Sequence, residues 1–291
     1  MNKSSILVLL LSIFIAFISI DQTHAQSVGE TIRITTIDGN ILMGVIEQEN
    51  DDRIIVRVEG IGEVTIQRSN IVKLEVIPPD RIKNGLYWFD NPHGTRYFFA
   101  PNAIGLKKGT GYYQNAWIVF NNVNYGLSDN FSIGAGLIPG FLFGGGIDAT
   151  PMWIMPKLSF PVVGDQFHLA VGAMIGGIVG SGSGALFYGS GTYGNTDNNI
   201  TIGLGYGASG GDLSDTPLLN ISGMYRAKRT IYMLGELYFL PGIDGSGLAL
   251  FGARWAPENF AVDFGLLLPL EETGDLIGIP WLGVSIPFGN R

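Results

Sequence analysis

Along the last two thirds of the chain, apolar positions alternate with small or polar ones. In the stretch NITIGLGYG at 199–207, Ile200, Ile202, Leu204 and Tyr206 share one side, and Thr201, Gly203, Gly205 and Gly207 share the other. A period of two is the mark of a β-strand whose faces meet different surroundings. The pattern recurs and predicts about twelve strands, at 95–103, 111–126, 131–140, 151–160, 166–177, 183–194, 199–207, 216–226, 230–239, 246–255, 260–269 and 278–288. Tight polar turns join them in pairs: Leu127-Ser128-Asp129-Asn130, Val163-Gly164-Asp165-Gln166, Thr196-Asp197-Asn198, Ala227-Lys228-Arg229 and Ala256-Pro257-Glu258-Asn259. The other connections, at 104–110, 141–150, 178–182, 208–215, 240–245 and 270–277, are longer and richer in Gly and Asp.

The faces follow from the register. Phe167, Leu169, Val171, Ala173 and Ile175 oppose His168, Ala170, Gly172 and Gly176. Phe260, Val262, Phe264, Leu266 and Leu268 oppose Ala261, Asp263 and Gly265, and Leu282, Val284, Ile286 and Phe288 oppose Trp281, Gly283 and Ser285. The apolar set is wide and uninterrupted, so it is expected to face lipid, with the small and polar set facing a lumen. A water-soluble barrel would reverse that order. An even strand number, short turns at one end and longer loops at the other are the pattern of an outer-membrane barrel.

Composition sharpens this reading. Charged residues make up 14% of the chain, against about 25% in soluble proteins. After residue 20 no apolar run reaches the roughly 20 residues that a spanning helix needs. The expected fold is therefore all-β, with an antiparallel transmembrane barrel over 95–291. Its last strand ends on Phe288, similar to the terminal signal by which outer-membrane assembly machinery takes up barrels.

The N-terminal third reads differently. Residues 1–25 have the form of a secretory signal: Lys3, an apolar run from Ile6 to Ile20, then Thr23-His24-Ala25 before Gln26. Residues 27–78 predict five short strands, with Asp38-Gly39 as a hairpin signal. Glu49-Asn50-Asp51-Asp52 and Glu59-Gly60-Ile61-Gly62 are further turns. A stretch of this length in five strands suggests an SH3-like or Sm-like small barrel, placed in the periplasm and open to a protein partner there. Pro78-Pro79 ends it. Residues 79–94, carrying Tyr87, Trp88 and Phe89, read as a linker, an interfacial segment or an inward plug.

The chemistry-bearing residues are few. A net charge of −8 excludes a nucleic-acid surface. The absence of cysteine excludes disulfides and thiolate sites. G-x-G-x-x-G occurs at 189–194 and 205–210. A strand or loop follows each, not the helix that a dinucleotide site needs. His93 and His168 alone follow the signal, too few for a metal site, and no cofactor is expected. Lys157, Arg226, Glu236, Arg254 and Asp263 take lumen-facing registers, with Asn220 and Ser222 beside them and Tyr232 and Tyr238 narrowing the channel. They form either an ion-pair ladder or a polar constriction that selects solutes. The outer connections carry Asp148, Asp212, Asp215, Asp244, Glu271, Glu272 and Asp275 against Lys107 and Lys108. Such an acidic rim can draw cations or bridge lipopolysaccharide through divalent ions.

One block carries a resemblance. Asn91-Pro92-His93-Gly94-Thr95-Arg96-Tyr97-Phe98-Phe99-Ala100-Pro101-Asn102-Ala103, continuing through Gly105-Leu106-Lys107-Lys108-Gly109 to Gly111-Tyr112-Tyr113-Gln114-Asn115, resembles a segment of uncharacterised outer-membrane β-barrel proteins of Gram-negative bacteria. The resemblance implies location and fold and brings no catalytic residue. The expected function is a non-enzymatic channel or transporter for small polar solutes or ions. The alternatives are a closed structural barrel that displays the 27–78 domain, and an outer-membrane lipid hydrolase, which would need a Ser-His pair near the outer rim.

Overall fold

The computed structural model describes residues 28–179, 181–240, 247–270 and 278–289, so the signal-like stretch at 1–25 lies outside the described residues. The chain divides into two units between Trp88 and Phe89.

The first unit is an antiparallel sheet of five strands: β1 (Thr31–Thr36), β2 (Ile41–Glu49), β3 (Arg53–Val58), β4 (Gly62–Gln67) and β5 (Ile71–Val76), in the order β4-β3-β2-β1-β5. Alternation buries Ile32, Ile34, Ile46, Ile54, Val56 and Ile66 as one core. Gly39, at φ 83°, closes the β1–β2 hairpin where a side chain would be strained. The register shifts between Thr35 and Thr36 and between Ile46 and Gln48, which bends the sheet. The stretch expected as a linker folds back on itself. Strands β6 (Ile82–Lys83) and β7 (Leu86–Tyr87) pair, and Lys83 Nζ lies 4.5 Å from the centre of the Trp88 ring.

The second unit is a closed barrel. Its strands are β8 (Thr110–Ala116), β9 (Phe120–Gly126), β10 (Phe131–Leu137), β11 (Met152–Val163), β12 (Phe167–Ile178), β13 (Gly182–Gly194), β14 (Asn198–Ser209), β16 (Leu218–Lys228), β17 (Ile231–Phe239), β18 (Gly247–Trp255), β19 (Ala261–Pro269) and β20 (Ile279–Gly289). These twelve form the ring, and the two-residue β15 (Asp212–Leu213) is an appendage on β14. β20 pairs with β8, which shuts the sheet on itself and leaves no edge. No helix among the described residues is long and apolar enough to cross a membrane.

The strand number matches the sequence reading through two errors that cancel. The single strand expected at 111–126 is two strands, β8 and β9, joined by a tight turn at Trp117-Ile118. The strand expected at 95–103 does not exist, and those residues lie inside the barrel. The β8–β9 turn carries φ 51° at Trp117 and 67° at Ile118, with Val119 N–H donating to the Ala116 carbonyl at 3.1 Å. Two successive left-handed residues twist a hairpin correctly, but the usual occupants are Asn and Gly. Trp and Ile carry no turn signal, so the strand reads as continuous.

The faces are as the alternation requires. Ile200, Ile202 and Leu204 are 52%, 57% and 51% exposed, whereas Thr201 between them is 1% exposed. Leu282, Val284 and Ile286 likewise face out, and Trp281 and Ser285 face in. Apolar residues thus cover the outside of a barrel whose polar groups are inside, the arrangement that lipid demands. The short turns at 127–130, 164–166, 195–197, 229–230 and 256–260 share one end, called here the turn end, and the opposite end, called the loop end, carries the tight β8–β9 turn and the longer connections at 138–151 and 210–217.

Two placements are corrected at the rims. Lys107 and Lys108 lie at the turn end, where the Lys108 N–H donates to Asp129 Oδ1 at 2.9 Å, and not on the outer loops. The cause is the missing strand at 95–103, which turns the 104–110 connection to the other side. Asp148, Asp212 and Asp215 are exposed at the loop end. Asp244, Glu271, Glu272 and Asp275 lie outside the described residues.

Candidate functional site

The lumen is organised by the segment that precedes β8. Residues 89–107 run inward from the turn end, reverse near mid-barrel and return. The reversal is a small hairpin: Tyr97 N–H donates to the Ala100 carbonyl at 3.0 Å, Arg96 and Pro101 form a bridge, and Asn102 N–H donates to the Thr95 carbonyl at 3.3 Å. Its tip is Phe98-Phe99. Phe89, His93, Arg96, Tyr97, Phe98, Asn102 and Ala103 are all buried. A buried backbone outside a sheet must find partners for its N–H and C=O groups. Here the inward side chains of the barrel supply them.

Asp263 on β19 receives Arg254 Nε from β18 at 2.5 Å and Arg96 Nη1 from the inner hairpin at 3.0 Å. All three side chains are at most 3% exposed. Arg254 uses its remaining protons on the hairpin backbone, donating to the carbonyls of His93 (3.0 Å), Arg96 (3.3 Å) and Tyr97 (2.7 Å). Glu236 on β17 accepts the Phe99 and Ala100 N–H groups at 2.9 and 3.1 Å and the Tyr238 hydroxyl at 2.7 Å. Lys157 on β11 donates to the carbonyls of Asn102 (3.1 Å) and Ile104 (2.8 Å). Arg226 on β16 bonds the Phe89 carbonyl at 2.9 Å and both Asp197 oxygens at 2.9 and 3.0 Å, and stacks near the rings of Phe89 and Tyr232. Gln114, Thr192, Asn199 and Thr201 complete the seat through Phe98, Ala103 and Tyr97.

Every charge read as lumen-facing is therefore inward, but none stands free in a water-filled constriction. Arg254 and Asp263 pair across neighbouring strands as a ladder would have them. Arg226 and Glu236 do not pair with each other, because Arg226 faces Tyr232 and Glu236 faces Ser222 in the β16–β17 register. Each serves the inner hairpin instead. Tyr232 is wholly buried under the hairpin, and only Tyr238 reaches the open part of the lumen.

The sequence did not signal the contact of His93 with Ser285. His93 Nδ1 lies 3.1 Å from Ser285 Oγ, and Arg96 Nη2 donates to the same oxygen at 2.5 Å. The pair comes from positions 192 residues apart. Both residues are 0% exposed and sit toward the turn end. The pair is thus not the outer-rim Ser-His site that a lipid hydrolase would need. His168 is buried on β12 opposite Thr192. No cluster of metal-ligating residues occurs among the described residues.

Between the hairpin tip and the loop end lies a cavity of about 450 Å³, within the range of roughly 300–1,000 Å³ that holds small ligands. Phe98 and Phe99 floor it, and Trp117, Phe120, Trp281 and Leu267 are among its walls. The Trp117 and Trp281 rings are 4.6 Å apart. Inward glycines make room for these large side chains. A Cβ at Gly172 would lie 2.5 Å from the Tyr188 hydroxyl. The lining is mainly apolar, which differs from the polar constriction expected. Four buried polar atoms on residues lining it have no partner: Thr95 Oγ1, Arg96 Nε, Ser190 Oγ and Trp281 Nε1.

No protein-family model and no curated protein sequence matches the chain. Several solved structures are similar in outline. The KdgM porin is 8% identical, covers 62% of this chain and 99% of its own, and has a TM-score of 0.46. The NanC porin is 11% identical, covers 63% and 98%, and has a TM-score of 0.40. The outer-membrane expressed OmpT of Vibrio cholerae is 12% identical, covers 90% and 95%, and has a TM-score of 0.31.

Proposed function

We propose that the chain is an outer-membrane barrel of a Gram-negative bacterium that admits a small solute to the loop-end half of its lumen and is shut at rest by the inner hairpin. The role is non-enzymatic: a gated channel or transporter. The observation that carries it is the division of the lumen. Below, the luminal charges hold residues 89–107 in place; above, a cavity of ligand size remains. The outward apolar face supports the membrane placement, and the exposed Asp148, Asp212 and Asp215 suit contact with cations or lipopolysaccharide.

The small N-terminal domain is read as SH3-like or Sm-like and periplasmic. The order β4-β3-β2-β1-β5 and the 3-10 turn Arg68–Asn70 between β4 and β5 support that reading.

Conductance across planar bilayers tests the function. The mature chain 26–291 is expected to be closed with rare openings, and a variant with 95–103 replaced by a Gly-Ser linker of equal length is expected to conduct steadily. A truncation must remove the hairpin as well as the small domain to be informative. Silence of the linker variant would overturn the proposal. It would favour the second reading, a closed barrel that displays the small domain to a periplasmic partner, which the dense bonding of the hairpin also supports.

A further inference from the structure

Among the inward cations one is treated differently. Arg96, Arg254 and Arg226 each meet a carboxylate. Lys157, 7% exposed and lining the cavity, donates only to two backbone carbonyls, and no carboxylate lies within ion-pair distance among the described residues. An ammonium group has three protons, so one remains for a further acceptor. A buried charge without a counter-ion is costly unless something supplies one. Thr95, Arg96, Ser190 and Trp281, which line the same cavity, each carry a buried polar atom without a partner. The rest of the wall is mainly aromatic and aliphatic, with Gln114, Asn122, Asn124, Ser132 and Asn220 as further polar positions.

From this we infer that the loop-end cavity binds an amphipathic carboxylate, its anionic head at Lys157 and its apolar tail against the aromatic wall. The inference deepens the proposed solute role by naming a substrate class, and it rests on the cavity being that solute's site. A purely polar solute would leave the apolar walls dehydrated without gain, and a purely apolar one would leave Lys157 unneutralised. The head group also meets Asn102 and Ile104 through Lys157, so an occupant of the cavity touches the same lysine that helps to hold the hairpin.

Three of the chain's five tryptophans, Trp117, Trp153 and Trp281, line the cavity, which gives a direct readout. The mature chain in phosphatidylcholine vesicles is titrated with octanoate and with 1-octanol while tryptophan emission is followed. Octanoate is expected to give a saturable change at a concentration about tenfold or more below octanol, as one charge-assisted hydrogen bond provides. Lys157→Gln is expected to abolish that preference, and Lys157→Arg to keep it. Equal response to the two ligands in the unaltered chain would overturn the inference without recourse to any variant. So would an unchanged preference in folded Lys157→Gln. Saturable octanoate binding in a barrel whose linker variant never conducts would leave this inference standing and remove the transport reading alone.

Discussion

Asp263→Asn tests the seating of the inner hairpin most sharply. Asp263 is the single anion between Arg254 and Arg96, one on the wall and one on the hairpin. Roughly a dozen hydrogen bonds tie hairpin to wall, and at about 1 kcal/mol net each they hold it by about 10 kcal/mol. At about 1.4 kcal/mol per decade, the unseated fraction is of order 10⁻⁷. The amide cannot neutralise either guanidinium, and breaking one partner of a buried pair costs about 3–5 kcal/mol. Arg254 faces the lumen and is covered by the hairpin backbone, so it regains water once the hairpin leaves. Arg96 regains water as well, so about 3 kcal/mol of the penalty falls on the seated state. Openings in planar bilayers should then be about a hundredfold more frequent than in the unaltered barrel. Adding Arg96→Met removes one of the two unpaired charges and should return part of the closure, which makes the pair a double-mutant cycle. Unchanged opening frequency in Asp263→Asn, or a double variant as leaky as the single, would refute the reasoning.

Other consequences can be measured separately. Ile118→Gly relieves a β-branched residue from the left-handed region at a site 80% exposed, so it should stabilise the barrel by about 1 kcal/mol in urea titration in vesicles. Ile202→Lys places a charge on the outward face of β14 and should cost about 2–4 kcal/mol in the same titration if that face meets lipid. Gly172→Ala drives a methyl against the Tyr188 hydroxyl and the Pro156 carbonyl. It should cost about 1–3 kcal/mol, with the Tyr188→Phe background recovering only part because the carbonyl remains. Residues 28–88 expressed alone should show a β-type far-UV spectrum and a cooperative thermal transition, since they carry their own core. A featureless spectrum would show that this unit does not fold by itself.

The strands and their faces were legible because lipid and lumen impose opposite chemistry on successive residues. Ile202 and Thr201 are adjacent, yet one is 57% exposed and the other 1%. The inward register of Lys157, Arg226, Glu236, Arg254 and Asp263 followed from the same alternation. What they do there did not, because their partner is a non-strand segment far away in sequence. That segment imitates a strand: Tyr97, Phe98 and Phe99 have high β propensity. Contrary signals were present in Gly94 and Pro101, which suit a turn more than a central strand, and in Arg96 among aromatics, which needs a partner if buried. The β8–β9 turn was hidden for the opposite reason, since Trp117 and Ile118 adopt a conformation for which neither residue is selected. Asn115 Oδ1 accepts the Ile118 N–H at 3.1 Å and Trp117 Nε1 reaches the Pro280 carbonyl at 2.7 Å, which steadies that turn by contacts no local rule predicts.

The seam between β8 and β20 joins the strands at the two ends of the barrel, and the inner hairpin leads directly into β8. This ordering bears on biogenesis. While the sheet is still open, residues 89–107 can lie down on its concave side as Arg254, Glu236 and Lys157 come into position. Once β20 has met β8, the same residues would have to thread into a finished ring with their polar groups stripped of water. Loss of the hairpin is thus expected to slow maturation of the barrel before any change in permeability could be felt.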